Sequence, residues 1–126
     1  MGLGTVLLVG IGGFLSAVSR YLVDTRVTTG VASALPWGTF LVNISGSFLL
    51  GITFALVSER YALPAELRLP LMVGFIGSYT TFATPLLQSW LMFESGAGLA
   101  AAANLVGSVL AGIVAVVAGL LIGRAL

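Results

Sequence analysis

With 126 residues, 59% of them hydrophobic and 7% charged, and a mean hydropathy of +1.17, the chain has too little polar surface to cover a water-soluble domain of its size. It contains no cysteine and no histidine. Disulfide and thiolate chemistry, imidazole catalysis and histidine metal sites are thereby excluded.

The nine charged residues define the organisation, because Arg20, Asp24, Arg26, Glu59, Arg60, Glu66, Arg68, Glu94 and Arg124 fall at the edges of apolar runs. The runs between them cover about residues 2–22, 38–58, 69–93 and 97–123. At 1.5 Å per residue each is long enough for a hydrocarbon core of about 30 Å. The expected fold is an all-α membrane protein of four transmembrane helices, a single module over residues 1–126, with its longest loops at 23–37 and 59–68.

The first run has no basic segment ahead of it and no small-residue cleavage site followed by a polar domain, so it reads as a span and not as a secretory signal. It offers Gly12, Ser16 and Arg20 at four-residue spacing. The second run repeats this with Thr39, Asn43 and Ser47, and the fourth with Asn104, Ser108 and Gly112. Such spacing puts each set on one helix stripe. Small residues on a stripe let membrane helices approach closely, which is the reading for Gly12, Gly46, Gly107 and Gly112. Asn43 carries two donors and an acceptor near mid-span, and serves either a permeation path or one specific interhelical bond. Trp37 and Trp90, near segment ends, read as interfacial anchors.

The third run contains GFIGSYTTFAT (74–84) followed by Pro85. Two glycines weaken the helix, four hydroxyls compete for backbone bonds, and proline removes a donor. A break is expected over 75–84, with Thr84 as N-cap and Pro85 opening a second half-helix to about Phe93. A break at that depth is tolerated only where protein or water shelters it. Its freed carbonyls suit a cation, and its N–H groups and hydroxyls suit an anion.

Orientation is nearly undecided by charge. Arg60, Arg68 and Arg124 fall on one side of a four-span chain, and Arg20 and Arg26 on the other. Because the arginine and lysine bias of short loops sets topology, such a chain can insert both ways up and pair with an inverted copy, as inverted repeats do in many transporters. The spans hold no central lysine, arginine or carboxylate; hydroxyls and amides remain, neutral groups that replace the water of a small anion without holding it tightly.

The pieces GGFLSAVSRY (12–21), PWGTFLVNISGSFLLG (36–51) and GFIGSYTTFAT (74–84), in this order, resemble the Fluc/CrcB family of fluoride channels. The resemblance covers most of the first three spans and is weaker in the fourth. It implies a passive, fluoride-selective channel of the inner (plasma) membrane, built as an antiparallel, dual-topology dimer with two pores and a central structural sodium ion. By the same resemblance Asn43, Phe82, Thr81, Thr39 and Ser108 belong to the fluoride path, the carbonyls of Gly77 and Thr80 hold sodium, and Arg20 serves assembly or a vestibule. Three positions depart from the family's pattern: Pro85 replaces a second phenylalanine, Gln88 a glutamate and Asn104 a tyrosine. These departures open the alternative of a poorly conducting relative or one member of a heterodimer. A small multidrug-resistance-type exporter is the remaining rival. It requires a carboxylate within the membrane, and residues 2–19 contain none.

Overall fold

The computed structural model describes residues 2–33 and 35–126, and the described residues form helices joined by short turns, with no strand among them. Helix α1 is Leu3–Gly30; α2 is Trp37–Phe54, extended by a wider, π-helical turn over Ala55–Arg60; α3 is the short Ala65–Leu69, extended by a π-helical stretch over Pro70–Gly77; α4 is Ala83–Glu94; α5 is Gly98–Ala125. Three of them are long and apolar enough to cross a membrane: Leu3–Gly30, Trp37–Arg60 and Gly98–Ala125. The third apolar run is divided between α3 with its extension and α4. The 12 residues of α4 rise only about 18 Å, short of a bilayer core of about 30 Å.

Two elements end elsewhere than their composition suggests. The expected loop at 23–37 is helical to Gly30. Thr28 donates its hydroxyl to Asp24 at 3.2 Å and Thr29 to the carbonyl of Thr25 at 2.8 Å. These local bonds return to the preceding turn, so threonines that otherwise disfavour helix are accommodated. The third run begins at Ala65, behind Pro64, with Glu66 in its first turn, where a carboxylate meets the positive end of the helix.

Packing is by close backbone approach, and few large side chains are interior. α2 lies along α5, and α1 lies against Pro70–Gly77. Where α2 meets α5, Gly51 sits on the backbone of Val116 and Gly119 on that of Phe48. Where α1 meets the third run, a Cβ on Gly12 would stand 2.8 Å from the Pro70 carbonyl, and one on Gly74 would stand 2.7 Å from that of Val9. Glycine is therefore required at Gly12 and Gly74 for contact, not for flexibility. The fully buried Ser16 locks the same interface by donating to the Phe75 carbonyl at 2.6 Å. Gly107, expected to be such a contact, has open space where a side chain would go. Leucines, valines and isoleucines cover the outside of α1 and α5, with Phe14 on α1.

Candidate functional site

Helical structure lapses at Thr80–Phe82, and the reason lies in where the local N–H groups point. The N–H of Thr81, which would close a helical turn onto Gly77, donates instead to Asn43 Oδ1 at 2.8 Å. The N–H of Thr84, which would reach Thr80, donates to the Thr81 hydroxyl at 3.4 Å. Pro85 has no N–H to offer. The carbonyls of Gly77 and Thr80 thus lose their helical partners through positive diversions of the donors.

These bonds also correct the expected helix start. α4 begins at Ala83, not Pro85, with Phe82 and not Thr84 at its N-cap and no side-chain bond from that residue; the Thr81 hydroxyl, one position earlier, accepts the first-turn N–H of Thr84. Pro85 occupies the third helical position, still within the first turn, where no intrahelical N–H bond is lost. It is buried there.

Two cavities flank this junction. One, of about 210 Å³, is lined by Arg20, Tyr21, Asp24, Thr39, Thr81 and Thr84, with Ala17 and Val42 behind them. The other, of about 260 Å³, lies between α2, the non-helical stretch and α5, and carries Asn43, Ser47, Thr80, Thr81, Phe82 and Ser108 on its walls. Thr81 faces both. The two cavities therefore meet at the residue whose backbone Asn43 holds.

Of the residues singled out from the sequence, Asn43, Thr81, Phe82 and Ser108 come together in the second cavity, and Arg20 and Thr39 in the first. Phe82 projects outward with 79% of its surface exposed. Thr39, only 4% exposed, accepts a bond from Gln88 Nε2 at 3.1 Å. Gln88 Oε1 is buried and has no hydrogen-bond partner among the described residues. Gly77 and Thr80 stand at the end of the third run's first helix, on exposed and half-buried backbone respectively.

Ser47 and Thr84 were not among the expected path residues, yet both line the cavities. Ser47 lies one turn beyond Asn43 on the stripe begun at Thr39, so the spacing carried the signal. On α5, Asn104 turns away from the second cavity and donates to Ser89 at 2.8 Å in a buried bond between α4 and α5. Tyr79, packed with its ring nearly parallel to Phe75, shares a bond of 3.2 Å with Ser45 and fixes the same junction from the other side. Gly46 admits Thr80 and Tyr79 against α2.

The arrangement offers hydroxyls, an amide and an aromatic ring, with one guanidinium and one carboxylate, those of Arg20 and Asp24, in the lining of the first cavity. No group of three or more carboxylates that would bind a metal occurs among the described residues. The lining can replace the hydration of a small anion and lacks a carboxylate relay within the second cavity.

Comparison with known proteins agrees with this chemistry. The sequence profile of the family described as "CrcB-like protein, Camphor Resistance (CrcB)" matches residues 7–120. A protein of Nitrobacter winogradskyi named fluoride-specific ion channel FluC is 40% identical over 119 residues, covering 94% of this chain and 94% of its own. One of Hahella chejuensis with the same name is 43% identical over 116 residues, covering 92% and 91%. One of Magnetococcus marinus, also so named, is 38% identical over 116 residues, covering 92% and 94%.

Proposed function

The chain belongs to the CrcB-like family, whose members are fluoride-specific ion channels and not enzymes, and from that premise we propose that it is a subunit of a passive fluoride channel in the inner (plasma) membrane. The observation that carries this reading is the pair of cavities meeting at Thr81, one opening beside Arg20 and the other lined by Asn43, Ser47, Ser108 and Phe82. Arg20 draws the anion towards the first cavity. The hydroxyls of Thr39, Thr81 and Thr84 then replace water one contact at a time, and Phe82 offers the electropositive edge of its ring. None of these groups carries a charge within the second cavity, so the ion is held weakly enough to leave.

The third run acts as one interrupted span and brings the number of spans to four. Its non-helical stretch carries Phe82 on the outside of the single chain, and open backbone of this kind does not face lipid. A second, inverted copy of the chain provides the shelter, giving an antiparallel dimer with two pores. The carbonyls of Gly77 and Thr80, deprived of helical donors by Asn43, Thr81 and Pro85, have the chemistry for a hard monovalent cation. Sodium held by them from both subunits would fix the junction structurally, and no part of the conduction path runs through it.

Reconstituting the purified protein into vesicles loaded with fluoride and following efflux with a fluoride electrode tests the reading. Rapid fluoride release with chloride retained is the expected result. Vesicles that keep their fluoride while the protein remains folded would overturn it.

A further inference from the structure

Arg20 and Asp24 stand four residues apart on α1, line the same cavity, and yet form no ion pair; the only salt bridge among the described residues is Arg124 with Glu59. The spacing is one at which opposite charges on a helix meet, although with arginine preceding the acid it is the less favourable order. The carboxylate is engaged elsewhere. The Thr28 hydroxyl donates to Asp24 Oδ1 at 3.2 Å, and the same oxygen lies against Gly38, so closely that a side chain there would collide with it. Gly38 is the second residue of α2, where the unpaired N–H groups of a helix start carry partial positive charge. That helix start has no side-chain cap of its own. A Cβ on Gly38 would also stand 2.6 Å from the Asp24 carbonyl and from the Thr28 hydroxyl, so only glycine lets the two helices meet this closely.

We infer that Asp24 is a positioning residue for the anion entrance: Thr28 and the start of α2 at Gly38 hold its carboxylate out of a direct ion pair with Arg20, leaving the guanidinium free to meet an anion in the first cavity. This rests on the fluoride-channel reading of that cavity. If the carboxylate is released, it can pair with Arg20, the one cation lining the same cavity, and the guanidinium is then no longer free to meet an anion. The cavity's remaining polar groups, on Tyr21, Thr39, Thr81 and Thr84, are neutral and do not replace the lost attraction.

Thr28 is exposed and outside the cavity lining, so Thr28→Val removes the restraint with little change of shape. In vesicles at about 10 mM ionic strength, where charges act over about 30 Å, the initial fluoride efflux of Thr28→Val is expected to fall about three- to tenfold, and the difference to narrow at about 1 M. Thr28→Ser, which keeps the hydroxyl, retains the rate. Adding Asp24→Asn to Thr28→Val restores it, a rescue that a merely structural defect would not show. An unchanged rate in Thr28→Val, or no rescue in the double variant, would overturn the inference while wild-type conduction leaves the channel reading standing. A second measurement does not depend on conduction. The melting shifts of Arg20→Gln and Asp24→Asn should add in the otherwise unaltered chain and couple in the Thr28→Val background; coupling in the unaltered chain would show that the two charges already pair and would refute the idea.

Discussion

The side-chain oxygen of Asn43 accepts the backbone N–H of Thr81 at 2.8 Å, and this one bond ties the middle of α2 to the point where the third apolar run stops being helical. It takes a donor from the helix that would otherwise continue past Gly77. It also sets the orientation of the residue shared by both cavities. The amide is thus an interhelical bond and a wall of the candidate path together, the two readings that its mid-span position left open.

Replacing Asn43 separates those roles. Asn43→Leu leaves the half-buried Thr81 N–H without its acceptor, a loss of about 1 kcal/mol, and should lower both the melting midpoint and fluoride efflux. Asn43→Asp keeps an oxygen for Thr81 but places negative charge in the cavity. It should therefore melt near the wild-type temperature and conduct far less. Equal efflux from wild type and Asn43→Asp would remove this residue from the path.

The glycines divide into two classes that thermal melts in detergent will distinguish. At Gly74 an added methyl meets the backbone of Val9 at 2.7 Å, and backbone yields poorly, so Gly74→Ala should cost about 1–3 kcal/mol. At Gly107 nothing lies within 4 Å, so Gly107→Ala should gain up to about 1 kcal/mol from helix propensity alone. Equal melting shifts for the two would contradict the packing between α1 and the third run.

Much of this was legible from spacing. The stripe Thr39, Asn43, Ser47 does face the junction, and Gly12 and Ser16 do lie on the packed side of α1, but the break expected over 75–84 narrows to Thr80–Phe82, the rest of that stretch being helical. Periodicity fixes which residues share a face, but not what that face meets. Gln88 with Thr39 and Asn104 with Ser89 are bonds between different helices, and they depend on the rotation of each helix about its axis. The extension of α1 to Gly30 escaped notice for another reason. Asp24 and the threonines look like loop residues until their side chains are seen bonding within the helix and packing on Gly38.

A sodium ion held by the carbonyls of Gly77 and Thr80 would leave a thermodynamic signature. A ligand at a hundredfold excess over its dissociation constant stabilises the folded form by about 2.7 kcal/mol. The melting midpoint should rise with sodium and not with an equal concentration of choline. Because the ligands are backbone oxygens, Thr80→Val, which preserves the shape packed against Gly46, should retain the response. No difference between the two cations would dismiss the site.

Orientation provides the sharpest test of the paired assembly. With the third run counted as a span, as proposed, Arg60, Arg68 and Arg124 oppose Arg20 and Arg26, and the Glu59 partner of Arg124 does not alter the tally, since acidic residues contribute little to topology. Two lysines appended after Leu126 should therefore lock one orientation, and Val31→Lys with Ala32→Lys, combined with Arg60→Gln and Arg68→Gln, the other. Each locked chain, expressed alone, has no inverted copy to cover its interrupted third run, and should yield vesicles that retain fluoride. Expressed together they should restore efflux, because each supplies the surface that the other lacks. If either locked chain conducts alone at the wild-type rate, the shelter for residues 80–82 comes from the same orientation or from within one subunit, and the inverted arrangement is wrong.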